Sequence, residues 1–434
     1  MSRFALLLPP ALLLCLSCGE GTLEVQGNLN RVVGETVTLE LVEGQDDFTG
    51  EMELVGSDRT KYDANQLGIS LKNSRKLTFV IPGDVAPGQA TARVNRINGG
   101  LPYDVPMGIN RLALTMDGTG VLELLPLPPT TLAASSMSVG GGSGGLMSLS
   151  PRGGLLALFA SDQLRLLSLG AKLKDTTAAI SQKEGKCLMA LNDGMLVGTT
   201  TQVIYLKLVS GKGMTRAKDF SLPGCTDIAV DNAGTTALVL SRWDSSGSGG
   251  TPDSDALTEL TLGTSTSAAG NTLKVDSAPG ATAVTLAGDG KSGIIADGPA
   301  IYGVTLKGSG QFAFTQLHWG FAAKPVSIAS TSSVAQVSTQ KVYVHALAES
   351  SKGEIRFVAH DKGKLKWIYQ GLKQLALNLT TQGTPSAIAF GRRLDLYVAA
   401  DRTLYKVNDL RGTPKIISLG LSTTNKITSL VVQP

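Results

Sequence analysis

The hydrophobic and polar positions of this chain alternate in short runs rather than in helical stripes. The clearest run is 227–241, Asp-Ile-Ala-Val-Asp-Asn-Ala-Gly-Thr-Thr-Ala-Leu-Val-Leu-Ser. Ile228 and Val230 fall on one face of a strand, Asp231-Asn-Ala-Gly234 supplies Asx and glycine turn chemistry, and Ala237–Leu240 is an apolar run of the kind buried on both faces. The pattern predicts strand, tight turn, strand, a unit that cannot bury itself alone. It returns at 146–169, at 188–198 with 203–208, and from Ala281, Pro325 and Pro385. The copies are spaced about 40–60 residues apart, room for four short strands each and the size of a propeller blade. Residues 425–434 begin another copy and stop, so its other strands are expected from 111–139, closing a ring whose ends would otherwise expose edges. Six full copies and one shared copy predict seven blades, with six or eight the alternatives. Insertions are expected at 243–255, as a mobile surface loop, and at 350–374.

Before the repeats, alternating strands at 22–25, 35–41, 77–81 and 90–94, separated by Gly, Asn and Pro, suit a small β-sandwich over 22–116. Residues 117–145 form a junction containing Pro126-Leu-Pro-Pro129 and the Gly/Ser run 139–145. No Lys-Ser/Thr and no helical pattern follows that run, so it is read as a flexible loop and not a phosphate cradle. The pattern leaves open whether 109–125 ends the first unit or begins the second. Residues 146–434 are assigned to the propeller, and the fold class is all-β.

Composition agrees: among 434 residues there are 51 glycines, and only 17% are charged. A net charge of +4 with no long Lys/Arg run gives no electrostatic case for nucleic acid. The N-terminus changes the picture more. Arg3 precedes an apolar core at 4–16 that is too short to span a bilayer, the form of a secretory signal over 1–17.

Three resemblances follow from these residues. Leu16-Ser17-Cys18-Gly19 resembles the lipobox of bacterial lipoproteins, which implies lipidation of Cys18, a short tether at 18–21 and attachment to a membrane. Gly19, where many inner-membrane lipoproteins have Asp, implies the outer membrane. Residues 33–39 and 77–94, with Pro82 and Gly88, resemble the TIG-type immunoglobulin-like family, which implies a spacer or adhesion module; that family's early Pro-x-x-Gly is replaced here by Asn30-Arg-Val-Val-Gly34. The repeats resemble the loosely patterned propellers of the WD-repeat and YVTN types, best at 150–153, 230–234 and 394–407, without the Gly-His and Trp-Asp signatures of strict WD repeats.

Candidate chemistry is sparse. Cys15 leaves with the signal and Cys18 would carry lipid, so Cys187 and Cys225, each opening a repeat copy, are expected either to form a disulfide in an oxidising compartment or to lie as separate buried thiols. His318, His345 and His360 lack metal-motif spacing and are expected to be scattered. Asp227, Asp231, Asp289, Asp297 and Asp401 are expected in turn chemistry. Trp243, Trp319, Trp367, Tyr302, Tyr369 and Tyr405 suit either inter-blade packing or a recognition face. No catalytic set and no cofactor is assigned. The sequence thus predicts an outer-membrane lipoprotein whose propeller is a non-enzymatic scaffold for another envelope protein, facing the periplasm or the cell surface. A metal-dependent lactonase-like hydrolase and a surface adhesin binding glycan are the alternatives.

Overall fold

The structure is a computed structural model. It describes residues 30–434 except 41–46, 100, 129–131, 140–144, 161–162, 170–173, 176–179, 182–184, 210–211, 244–253, 264–267, 276–279, 299, 308–310, 319–324, 333, 338–339, 350–352, 362–363, 371–372, 380–381, 392–393 and 409–413. The signal segment, Cys18 and the strand expected at 22–25 lie outside the described residues. Apart from the one-turn helix Ala64–Leu67, the regular structure described is strand.

Two sheets build the N-terminal unit. One has the order Asn30–Val32, Tyr103–Asn110, Gly88–Arg96, Phe48–Val55, Lys61–Tyr62; the other is Thr36–Glu40, Lys76–Val80, Ser70–Asn73. Period-two alternation sets which side chains go inward. Val37 and Leu39 are buried while Thr36, Thr38 and Glu40 are exposed, and Val37 pairs with Phe79 and Leu39 with Leu77. These four share one core with Met52, Leu54, Val94, Val105 and Met107 of the facing sheet.

The rest of the described chain forms seven larger sheets built around meanders, numbered here I to VII by their first strands, and two small two-stranded sheets. Those first strands are Leu146–Leu149, Cys187–Leu191, Cys225–Val230, Ala281–Leu286, Ser327–Ser330, Pro385–Phe390 and Ile427–Val432. They pack in a closed cycle, I against II and onward to VII, which returns to I. One apolar cluster fills each seam between neighbours. Leu196 and Tyr205 meet Ile228 and Val239 between II and III, for example, and Leu114 and Leu122 meet Leu156 and Leu158 between VII and I. Second strands therefore stand between two seams, which is why Leu238, Val239, Leu240, Ile294 and Ile295 are all fully buried and their runs read as continuously apolar.

Sheet VII joins the two ends of this array. Ile427–Val432 pairs antiparallel with Leu112–Asp117, which pairs with Val121–Pro126 and then Ser135–Ser138. The strand Leu112–Asp117 thus belongs to the array, so the boundary lies at Arg111 and not at 116. Residues 254 and 255, expected within a surface loop, instead begin the strand Ser254–Thr261 and are fully buried.

The N-terminal unit is bolted to this closing sheet. Gln433, fully buried, donates from Nε2 to the carbonyls of Val33 (2.9 Å) and Gly153 (2.7 Å), and its Oε1 accepts from the Leu112 amide (2.9 Å). Beside it the buried Arg111 guanidinium donates to the carbonyls of Gly83 (2.6 Å), Val85 (2.7 Å) and Gln433 (3.3 Å). Gly34 and Gly154 touch backbone to backbone, and a Cβ on either would strike the other. Gln433→Ala would strand two buried carbonyls and one amide. It is expected to cost about 2–4 kcal/mol of stability; an unchanged denaturation midpoint would contradict the role assigned to this side chain.

Candidate functional site

First strands face the axis with one edge unpaired, so their amides need partners other than a ladder. Side chains of the neighbouring first strand supply several. Ser148 Oγ accepts from Ala190 N (3.1 Å) and Ser327 Oγ from Ile388 N (3.1 Å). Asp227 does the same with a charge: Oδ1 accepts from its neighbour Ile228 N (2.9 Å) and Oδ2 from Val284 N (2.9 Å), tying sheet III to sheet IV. Desolvation pushes its carboxyl up to about 7 even though both hydrogen bonds act the other way. Asp227 is therefore an inter-sheet tie and not the turn residue expected.

Asp231 and Asp289 do serve turns. Asp231 Oδ1 accepts from the amides of Thr235 (2.8 Å) and Thr236 (3.0 Å), and Asp289 Oδ1 from those of Lys291 (2.8 Å) and Ser292 (2.9 Å). Asp401 occupies a turn with φ 51°, and Asp297 ends the strand Ser292–Asp297. The fully buried carboxylate of Asp255 pairs with Arg242 through Oδ1. Its Oδ2 accepts from the amides of Gly280 and Ala281, both at 2.7 Å, where the chain enters sheet IV.

Between sheets IV and V the structure assembles a polar layer that the sequence spacing conceals. His345 and His360 sit on adjacent strands, Val344–Glu349 and Glu354–Asp361, with rings 5.2 Å apart and edge-on. His345 Nδ1 meets Ser330 Oγ at 2.5 Å, and that hydroxyl is 2.8 Å from Thr285 Oγ1 of sheet IV. His360 Nε2 lies 2.9 Å from the Gly293 carbonyl, which only accepts, so this nitrogen carries the proton. Its Nδ1 and the Nε2 of His345 are buried and have no hydrogen-bond partner among the described residues. Glycine makes the room: a Cβ at Gly303 would press on His360 Cε1 and Leu365 Cβ. Burial lowers the pKa of both imidazoles, His345 well below the ordinary range. The neighbouring His360 adds to the effect on His345, while the Gly293 bond and Asp289 partly offset it for His360. The two histidines are thus paired, not scattered, a correction to the sequence expectation; His318 ends the strand Phe312–His318 on sheet IV. Among the described residues no group of three or more His, Cys, Asp or Glu is placed to hold a metal ion.

A disulfide joins Cys187 and Cys225, at the starts of the first strands of II and III, with Cα atoms 6.1 Å apart. Gly198 lies against it, where any Cβ would collide with both sulfurs. Of the candidate aromatics, Tyr302, Tyr405 and Trp367 are half-buried in the III–IV, V–VI and IV–V seams, and Trp367 also lies 5.9 Å from the Arg356 guanidinium. Trp243 and Tyr369 lie in strands, and Trp319 and the loop at 244–253 lie outside the described residues.

Two measurements test this arrangement. The disulfide spans 38 residues, so Cys187→Ser with Cys225→Ser is expected to cost about 3–4 kcal/mol; equal stability with and without reductant would contradict a role in holding II to III. The second is a pH series. The folded state binds fewer protons at the two imidazoles than the unfolded state once pH falls below about 6.5, so stability should decline on acidification. Asp227 opposes this, because folded protein holds that proton up to about 7. Denaturation between about pH 7.5 and 5 should therefore show a shallower acid loss in His345→Gln/His360→Gln and a steeper one in Asp227→Asn. Unchanged slopes would refute these protonation assignments.

No protein family matches the chain by sequence, and no curated protein does. Solved structures do match in fold. The periplasmic gluconolactonase PpgL of Pseudomonas aeruginosa superposes with a TM-score of 0.52 at 10% identity, covering 75% of this chain and 99% of that one. AztD of Citrobacter koseri matches with a TM-score of 0.45 at 14% identity over 88% of this chain and 98% of its own. An auxiliary nutrient-binding protein of Bacteroides ovatus matches at 0.39 and 12%, over 85% and 93%. At such identities the likeness concerns fold alone, and this chain is an all-β protein of β-propeller-like architecture.

Proposed function

We propose that this protein is an exported, lipid-anchored scaffold of the bacterial outer membrane. An immunoglobulin-like spacer, which would follow the lipidated Cys18, carries a seven-bladed propeller that binds another envelope protein. The observation that carries this reading is the bolt at Arg111 and Gln433. A spacer joined by a loose linker would let the ring swivel; here six hydrogen bonds with their donors or acceptors on these two side chains fix the N-terminal unit, the closing sheet and sheet I together. A rigid ring held at a defined height suits docking, because little ordering entropy is lost when its partner binds. The apolar core at 4–16 and the Leu16-Ser17-Cys18-Gly19 sequence support the anchor, and two or more acyl chains give stable attachment where one does not.

Asp227 favours a second reading. A carboxyl titrating at about 7 is suited to general acid–base chemistry near neutrality, so hydrolysis of a small molecule at the axis remains the competing function; lactone turnover abolished in Asp227→Asn would favour it.

The anchor is tested by labelling cells with an alkynyl fatty acid. Wild-type chain should carry label and sediment with membranes, whereas Cys18→Ala should lose both; membrane retention without Cys18 would refute lipid anchoring. Crosslinking in the intact envelope should then recover one protein partner in near-equal amount, and recovery of none would count against the scaffold.

A further inference from the structure

Where the N-terminal unit meets the ring, the two enclose a cleft of about 310 Å³, at the lower end of the size range for small-ligand sites. Its lining brings together residues far apart in sequence. Thr36 comes from the N-terminal unit, Ser150 and Arg152 from the first turn of sheet I, Ser168 from the strand Gln163–Ser168, and Asn192 and Leu208 from sheet II. The Gly34–Gly154 contact at this boundary brings the two walls together as closely as backbones allow.

The chemistry of this lining is one-sided. It contains a guanidinium, three hydroxyls and an amide, and no carboxylate. The Arg152 side chain is exposed and makes no ion pair with a described carboxylate. The turn that carries it is held by its backbone, because the Arg152 amide donates to Asn192 Oδ1 (3.0 Å) while Asn192 Nδ2 reaches the Ala233 carbonyl (3.4 Å), locking the first turns of sheets I, II and III to one another. Ser150 Oγ accepts from Leu155 N (3.0 Å) and retains its own proton to donate. Leu155 and Leu208 add apolar surface.

From this we infer that the cleft binds a small hydroxylated carboxylate of the sugar-acid class. Arg152 would take the carboxylate through its planar fork, the hydroxyls of Thr36, Ser150 and Ser168 would meet ligand hydroxyls, and the leucines would cover the C–H face of the ligand. This site is independent of the scaffold proposal and of Asp227.

The test is calorimetric titration of the purified chain with D-glucuronate, D-glucose and inorganic phosphate. Glucuronate should bind saturably with a Kd of about 1 mM or tighter, and glucose at least about tenfold more weakly, the scale of a lost charge-assisted hydrogen bond. Arg152→Gln should weaken glucuronate by a similar factor. Thr36→Trp, which fills the cleft from the opposite wall, should abolish binding. Both positions are exposed, and the melting temperature of each variant verifies that the fold is kept. No saturable binding of glucuronate would overturn the assignment, and so would binding untouched by either substitution. Phosphate binding as tightly as glucuronate would overturn the sugar-acid class, because charge alone would then account for recognition.

Discussion

Everything in this fold depends on closing the circle of sheets. Each sheet in the array has two faces, and each face is buried only if a neighbour covers it, so the last sheet has to find the first. The array does this with its own first and last strands, laying Ile427–Val432 onto Leu112–Asp117. Holding segments more than 300 residues apart carries a loop-closure cost that rises only slowly with length. The seams on either side of sheet VII offset it by burying Leu112, Leu114 and Leu122 against sheet I and Leu430 and Val432 against sheet VI. Gln433 and Arg111 then complete the seam with polar groups that match carbonyls and an amide one by one. Such groups add geometric specificity to a contact whose free energy comes from apolar burial.

The polar interior follows the same logic at other seams. Amides along the inner edges have no ladder partner, so hydroxyls and the Asp227 carboxylate of neighbouring strands take that place. The disulfide lies at the starts of the first strands of II and III, whereas Gln433 lies just past the end of the first strand of VII, so covalent and hydrogen-bonded ties act at different levels of the ring. The IV–V seam is the exception. There two imidazoles are buried between the sheets, each with one ring nitrogen that has no hydrogen-bond partner among the described residues, and burial disfavours the charged form of both.

Much of the architecture was readable because its causes are local. The strand-turn-strand unit at 227–241 announces itself through Asx and glycine turn residues and through an apolar run that only a doubly covered strand needs. The opening-strand pattern of 425–434 is likewise visible in its own residues. What escaped reading was set by register and distance. His345 and His360 are neighbours because strand pairing sets His345 opposite Val358, two residues from His360, and no spacing rule in the sequence anticipates that. Ser254 and Asp255 follow a Gly/Ser-rich stretch and look like loop, yet the amides of Gly280 and Ala281 and the Arg242 guanidinium hold the Asp255 carboxylate inside. The boundary at Arg111 was obscured because the strands on both sides of it are apolar, one serving the N-terminal core and the other the ring.

The proposed scaffold requires that the closed ring and the N-terminal unit behave as one body. The most direct measurement is native-state hydrogen exchange at the amides of Val431, Val432 and Gln433 and of the strand Leu112–Asp117 that receives them. If closure and docking are cooperative, these amides should exchange only through global unfolding, with the same free energy as the buried second strands of sheets III and IV. Exchange at markedly lower free energy than those strands would show that the seam opens by itself, and would contradict the claim that this closing seam holds the molecule together.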